Sequence, residues 1–448
     1  MKIHSIDIRK RKIRAILSRL LEAGLHAANP ILAVKKALSV KGGILQVGAH
    51  RYDLQDFDRI VCVGAGKASG MMAMALEHCL GSRITGGLVA VKEGAGCRTK
   101  TIQLVETSHP VPDARSVRAA RHILTLVQSL TRRDLLLVAI SGGASSLLAA
   151  PAPGLTLQDK KRATALLLRS GARIQEINTV RKHLSAIKGG RLVTATSATI
   201  ISLVLSDVLD DDLATIGSGL TSPDLTTFQD ARAVLQKYRL WARVSSSVRR
   251  HLEKGLEGHI ADTPNPRAGA FARVHHQIIG NNRLTVDAIV RQAKAEGLHP
   301  LVLTTTLEGE AREAGQLIGA IAREIHASGQ PIPRPACLVC GGEPTVTVRG
   351  NGKGGRAQEL ALSAAIRIAG LPNMYVAGFG TDGQDGPTDA AGAIVDGQTV
   401  ARAHQKHLDP LRMLRDNASH TFFKKVGGHI ISGPTGTNVN DVYLLLAL

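Results

Sequence analysis

With 448 residues, 44% apolar and 21% charged, the chain has the length of two or three ordinary domains and the composition of a soluble globular protein. Lys and Arg outnumber Asp and Glu by 56 to 36, and the resulting net charge of +20 would concentrate anionic ligands around any cleft that faces it. The basic residues are spread along the chain and aromatics make up only 2%, which argues against a dedicated nucleic-acid binder, and no apolar run is long enough to span a bilayer.

Residues 1–19 are rich in Lys and Arg, but Ile13, Ile16, Leu17, Leu20, Leu21 and Leu25 recur at helical spacing and lead into the body of the chain. They read as an amphipathic first helix rather than as an organellar targeting peptide. From about residue 58 onward, short β-rich runs alternate with helical patterns, the signature of a parallel sheet covered by helices. A strand over 60–63 runs into Gly64-Ala65-Gly66-Lys67, and a helix is predicted over 68–80. A strand over 87–91, a helix over 113–130 and a buried strand over 135–140 follow, the last ending in Ser141-Gly142-Gly143-Ala144-Ser145-Ser146. Helices are predicted over 156–169 and near 178–187, then a strand over 200–205 that ends in Ser206-Asp207 and the acidic run Asp210-Asp211-Asp212.

Residues 240–274 lose periodicity and gather charge and prolines, which places a domain boundary there. Beyond it come a helix over 284–295, a strand over 301–305, a helix over 311–327, a proline-rich connector and a strand over 336–340. The glycine loop Arg349-Gly350-Asn351-Gly352-Lys353-Gly354-Gly355-Arg356 precedes a helix over 358–369, and a strand over 375–379 leads into Gly380-Thr381-Asp382-Gly383-Gln384-Asp385-Gly386. Cys337 and Cys340 are three apart on a strand and so point to opposite faces, which makes them buried apolar residues rather than a redox or metal pair. Five scattered cysteines favour a reducing compartment, and the cytoplasm is the expected location.

Five predicted strands end in Gly, Ser or Asp, at Gly64, Ser141, Ser206, Gly341 and Gly380. In open α/β sheets ligands bind outside the carboxyl ends of the strands, so these turns are expected to converge. The glycine loop places Lys353 and Arg356 at a helix N-terminus, where backbone N–H groups, the helix dipole and a guanidinium fork all favour phosphate; a flexible hairpin with solvated charges is the alternative. Gly64-x-Gly66-Lys67 invites a dinucleotide reading, but Lys92 and Glu93 stand where an acid should meet the ribose, and Ala68 rules out a Walker A loop. What remains is a lysine on a tight turn suited to a phosphoryl oxygen or a carboxylate. Asp207 and the 210–212 trio, with Asp382, Asp385 and Asp389 in the second acidic turn, suggest magnesium, with helix capping as the alternative for Asp212 and Asp389. Together these parts match the needs of phosphoryl transfer.

The segments Gly64-Ala65-Gly66-Lys67-Ala68, Ser108-His109-Pro110-Val111-Pro112-Asp113, Glu176 to Ser185 with Lys188-Gly189-Gly190-Arg191, Gly355-Arg356-x-Gln358-Glu359, Gly380 to Asp389 and Gly433 to Asp441 resemble, in order, the glycerate 2-kinases of the MOFRL family. The resemblance implies a Rossmann-like α/β/α domain over 1–250, a second α/β domain over 251–448 that contains the MOFRL region at about 335–442, and an active site in the cleft between them. It implies transfer of phosphate from ATP to D-glycerate, giving 2-phosphoglycerate, with Mg²⁺ or another divalent cation, in a monomer or homodimer with no nucleic-acid or membrane partner. Carried over by motif, Lys67, Arg356 and Asp207 would be catalytic. Gly64, Gly66, Ser141, Gly142, Gly143, Ser145, Lys353, Gly354, Gly355, Asp382 and Asn438 would contact the nucleotide, and Asp207, Asp211 and Asp385 the metal. The chain departs from the family pattern at Asp210 (usually Gly), Leu220 (usually Pro), Ala144 (often Gly) and Ala357 (usually Asn). A nicotinamide-dependent hydroxypyruvate reductase and a catalytically impaired member of the fold are the competing expectations.

Overall fold

The computed structural model describes residues 2–448 and divides into two units, one spanning Pro30–Ile279 and the other formed by the first 29 residues together with Gly280–Leu448. The first unit is built on a six-stranded sheet in the spatial order Gln103–Thr107, Ile84–Lys92, Arg59–Ala65, Asp134–Ser141, Thr199–Leu205, Val274–Gly280. Numbered along the chain that order is 3-2-1-4-5-6, and the first five strands pair in parallel. It is the dinucleotide-fold order, whose direction of winding reverses between the strands Arg59–Ala65 and Asp134–Ser141. These two strands are buried on both faces, which is why they read as uninterrupted apolar runs.

The helices are started by local chemistry. Asp113 accepts N–H bonds from Arg115 and Ser116 to open Ala114–Gln128, and Thr156 and Thr227 form capping boxes with Asp159 and Asp230 to open Leu157–Arg169 and Phe228–Lys237. Their apolar stripes then decide where they pack: Ala119, Ala120, Ile123 and Val127 lie in one core with the sheet, whereas Leu167, Ile177, Leu235 and Leu252 form a separate helical core. A three-stranded meander, Leu38–Lys41, Ile44–Val47 and His50–Asp53, has no counterpart in the sequence-based prediction. Neither does the edge strand Gln103–Thr107.

The expected domain boundary at residue 250 falls inside the helix Ser246–Leu256. The aperiodic stretch beyond that helix is not a linker. Asp262 accepts the Phe228 N–H at 2.7 Å, the Asp224 N–H donates to Pro264 O at 3.0 Å, and the chain then enters the sixth strand of the same sheet.

The second unit carries a seven-stranded sheet in the order Ser5–Ile6, His429–Ile431, Gly392–Asp396, Met374–Gly380, Asp441–Ala447, Ala336–Gly342, His299–Leu307. The expected parallel alternation fails here: only His299–Leu307 and Ala336–Gly342 run parallel, joined across the helix Ala311–Ser328. Met374–Gly380 returns into Gly392–Asp396 without a crossover helix, and the pair is antiparallel. Side chains alternate between two cores. Leu338, Cys340, Val376, Tyr443 and Leu445 face the helices Ala311–Ser328 and Arg356–Arg367; Cys337, Val339, Ala377, Leu444 and Leu446 face Arg11–Ala27 and Asn282–Ala295. Cys337 and Cys340 therefore do lie on opposite faces of their strand, and burial pushes both thiols up to about 12. The amphipathic first helix forms as expected, but its stripe packs with the C-terminal part of the chain. Among the described residues no helix is long and apolar enough to cross a membrane.

Candidate active site

At the winding reversal of the first unit, the turns after the strands Arg59–Ala65 and Asp134–Ser141 are laced together. The Lys67 N–H donates to Gly142 O at 2.8 Å, the Ala68 N–H donates to Ser141 Oγ at 3.0 Å, and the hydroxyls of Ser69 and Ser141 stand 3.0 Å apart. Gly66 has φ +148°, and a Cβ there would lie 2.0 Å from Ser141 Oγ. The same test at Gly142 puts a Cβ 1.9 Å from Asp207 Oδ2, which locates the Asp207 carboxylate directly over the turn. At Gly143 the nearest neighbours are His109 and the Lys67 side chain, at 2.9 and 3.4 Å from the same position. Gly64, Gly66, Lys67, Ser141, Gly142, Gly143 and Asp207 thus lie together at the C-terminal ends of these strands. Ser145 lies one turn further on, its hydroxyl 2.6 Å from that of Ser218, which in turn donates to Asn178 Oδ1 at 3.1 Å.

His109 belongs to this cluster but was named only within a motif. Burial, reinforced by Lys67 and Lys92, lowers its pKa to about 4, so it stands neutral beside the lysine at pH 7. Asp210 and Asp211, past the end of Thr199–Leu205, both adopt positive φ, 59° and 54°. The position where the resembling family has glycine therefore keeps a glycine-like backbone here, and aspartate is among the residues that tolerate it best. Asp212 is occupied locally, accepting the Ala214 N–H at 3.0 Å. Leu220 and Ala144 are fully buried in the core that backs the site.

A cavity of about 590 Å³ opens on the other side of Gly143 and His109, bordered by the helix Leu157–Arg169. Lys160, Arg181 and Lys188 reach into it. Lysines on helices read as solvated charges, so no signal in the sequence pointed to Lys160.

The remaining predicted residues lie in the second unit, in and around the glycine loop. The N–H groups of its first four residues are bonded within the unit: Asn417 Oδ1 accepts those of Arg349 and Gly350 at 2.8 and 3.0 Å, Asp416 Oδ1 that of Asn351 at 3.1 Å, and Asp416 O that of Gly352 at 2.8 Å. The Lys353 carbonyl accepts the His420 N–H at 2.9 Å. The helix N-terminus does hold an anion, but an internal one. Asp385 accepts the N–H groups of Ala357 and Gln358 at 3.0 and 2.8 Å and the Gln358 side-chain amide at 2.9 Å. Burial and the neighbouring Asp441 raise the Asp385 carboxyl to about 7, against the pull of these donors. Asp385 thus caps the helix that begins at Arg356, a use the sequence-based expectation of a metal ligand did not include.

Arg356 spends its fork on two carboxylates. Nε and Nη2 donate to Asp441 at 2.6 and 3.2 Å, and Nη1 donates to Glu343 at 2.7 Å. Glu343 also accepts from Asn440 Nδ2 at 2.7 Å, and Asp441 accepts the Tyr443 hydroxyl at 2.9 Å. Asp382 accepts the Gln384 N–H and Asn438 the Asn440 N–H, both turn-type bonds. Gly354 and Gly355 precede Arg356 and pack against Ser419 and Asp385. Among the described residues no three His, Cys, Asp or Glu side chains are grouped so as to cage a metal.

Two family models match the chain: a domain of unknown function, DUF4147, over residues 16–253, and the MOFRL family over residues 336–441. A glycerate 2-kinase from Pyrococcus horikoshii is 42% identical over 97% of both chains, and a D-glycerate 2-kinase from Thermotoga maritima is 42% identical over 87% of this chain and 91% of its own. A crystal structure of glycerate kinase from Thermotoga maritima superposes with a TM-score of 0.87 at 39% identity, covering 98% of this chain and all of that one.

Proposed function

We propose that this chain, which belongs to the glycerate 2-kinase family built from DUF4147 and MOFRL domains, transfers the γ-phosphoryl group of ATP to the 2-hydroxyl of D-glycerate. The observation that carries the reading is the meeting of Lys67, Asp207 and the Ser141–Gly143 turn at the winding reversal of a 3-2-1-4-5-6 sheet. The glycerate oxygen attacks the γ-phosphorus, the bond to the β-bridging oxygen breaks, ADP leaves, and the hydroxyl proton passes to Asp207. Lys67 balances charge on the equatorial oxygens, and neutral His109 donates to them without adding charge. Asp207, with Asp211 beside it in the chain, would hold Mg²⁺ through one or two carboxylates, in the mode in which phosphate and water supply the other ligands. Such an ion, when bound, neutralises phosphate charge.

Arg356 is the second cation of this reading. It would reach phosphate by releasing one of its carboxylate partners, and Glu343, 41% exposed, is the one that water can replace. Lys353, Gly354, Gly355, Asp382 and Asn438 are proposed as contacts at the transferring end of the ligand pair. Lys92 at the end of the second strand, where a dinucleotide fold needs an acid, tells against the reductase alternative.

Incubation with ATP and D-glycerate should yield a product that enolase consumes directly. A product that enolase accepts only after phosphoglycerate mutase is added would move the reaction to the 3-hydroxyl. Absorbance of a reduced nicotinamide with hydroxypyruvate should stay flat. Within the site, Gly142→Ala forces Asp207 off the turn, and kcat is expected to fall at least about 10-fold with a cooperative melt retained. Unchanged kcat in that variant would detach Asp207 from the chemistry.

A further inference from the structure

The reacting groups above leave the neighbouring cavity unused. Five cations line it, Lys160, Lys161, Arg162, Arg181 and Lys188, and no aspartate or glutamate does; of the lysines, Lys160 and Lys188 are the buried ones. Lys188 is 2% exposed and Lys160 8%. Backbone carbonyls orient these ammonium groups without neutralising them: Lys160 Nζ donates to Leu184 O at 2.9 Å and Arg181 O at 3.3 Å, and Lys188 Nζ to Gly217 O at 3.3 Å. Among the described residues none of Lys160, Arg181 and Lys188 forms an ion pair. Burial and mutual repulsion lower Lys160 to about 7 and drive Lys188 well below its ordinary value. Burial disfavours the charged forms of Lys160 and Lys188, and an anion bound beside them would restore those charges, so the cavity is suited to an anion.

The number of charges selects the anion. A small hydroxy-acid brings a single negative charge to a cavity lined by five cations, whereas a di- or triphosphate chain brings several. The walls select the rest of the molecule. Val111 and Leu168, 53% and 60% exposed, stand at the cavity with Pro110 and Pro112, a cover of apolar surface that an acid of a few atoms cannot use and a purine can. The volume of about 590 Å³ lies within the range of nucleotide-sized sites. Gly143 and His109 border both this cavity and the Lys67 cluster, so a phosphate chain lying on Lys160, Arg181 and Lys188 ends at the proposed reacting groups.

We infer that this cavity is the nucleotide site: Lys160, Arg181 and Lys188 hold the phosphate chain of a nucleoside di- or triphosphate, and Val111 and Leu168 cover its base. The inference rests on the kinase reading, yet its test needs no turnover. Calorimetric titration of the full chain with ADP should show binding weakened about 30-fold in Lys188→Met, while adenosine, which lacks phosphates, shifts by less than about threefold. The ligand-free Lys188→Met protein should melt no lower than the parent, because an apolar side chain of similar length replaces a buried amine whose charged form burial disfavours. In Leu168→Glu, a surface change that leaves the core untouched, both ADP and adenosine should weaken about fivefold or more.

An ADP affinity within threefold of the parent in Lys188→Met overturns the assignment. Should that variant fail to fold, an unchanged ADP affinity in Leu168→Glu overturns it equally. A parent protein that binds ADP here but does not phosphorylate glycerate would sink the substrate reading and keep the site. A parent that phosphorylates glycerate, with Lys188→Met raising only the KM for glycerate, would give the cavity to the acceptor and sink the site alone.

Discussion

Replacing Lys67 by methionine is expected to lower kcat for phosphorylation of D-glycerate by about 10²- to 10³-fold, with little change in melting temperature. The backbone at this position is fixed independently of the side chain, by the N–H bond to Gly142 O and by the Ser141 hydroxyl at the next residue. Among the described residues Lys67 forms no ion pair, so removing its charge leaves no carboxylate buried alone. The loss should therefore fall on the transition state, where the transferring group spreads negative charge over three oxygens within reach of the turn. Lys67→Arg keeps the charge but not the point-like ammonium, and should recover only part of the rate. Steady-state kinetics at saturating ATP and glycerate, with a thermal melt as control, decide the matter. A kcat within threefold of the parent in the methionine variant would remove Lys67 from the mechanism.

The second large effect is on stability. Arg356→Met leaves Asp441, 3% exposed, without the bidentate partner that answers its charge, and loss of one member of a buried pair costs about 3–5 kcal/mol. Glu343 adds little to that figure because it is partly solvated. Burial already pushes the Asp441 carboxyl upward and Arg356 draws it back. Without the arginine the folded protein should hold a proton on Asp441 that the unfolded chain releases near pH 4. The destabilisation should thus be mild at low pH and grow as the pH rises above about 4, since the folded state then binds more protons than the unfolded one. Arg356→Met with Asp441→Asn should recover at least half of the loss. Denaturant melts of the single and double variants between pH 5 and 8 test this. A single variant as stable as the parent at pH 8 would show that Asp441 does not depend on Arg356.

The parts of the site that were legible in the sequence are those governed by local geometry. Gly66, Gly142 and Gly143 follow apolar runs at Arg59–Ala65 and Asp134–Ser141, and glycine in such turns marks backbone that must approach something closely. The residues that needed the fold are those whose partners are remote in the chain. Arg356 stands in a glycine loop that looks like a phosphate cradle, but Asp441, 85 positions away, closes on its fork. Asp385 looks like a metal ligand because its alternative use, capping the helix that starts at Arg356, depends on a contact 28 residues upstream. Lys160 and Lys188 carry no sign of burial, since a lysine that reaches inward has the same sequence context as one that reaches into water. The antiparallel order of the second sheet was hidden for a related reason: the central strand Asp441–Ala447 is the last to be written.

The placement of the first 29 residues has a consequence for how the chain is made. The unit over Pro30–Ile279 is continuous, so it can fold as soon as it leaves the ribosome. The strand Ser5–Ile6 and the helix Arg11–Ala27 wait for His429–Ile431 and Asn282–Ala295, and at about 5–20 residues per second that wait lasts roughly 20–80 s for the strand and roughly 13–54 s for the helix. Throughout it, Leu17, Leu20, Leu21 and Leu25 have no surface of their own unit to bury against, and their alternation with Arg11, Lys12, Arg14 and Arg19 keeps a nascent amphipathic helix soluble while translation runs to its end.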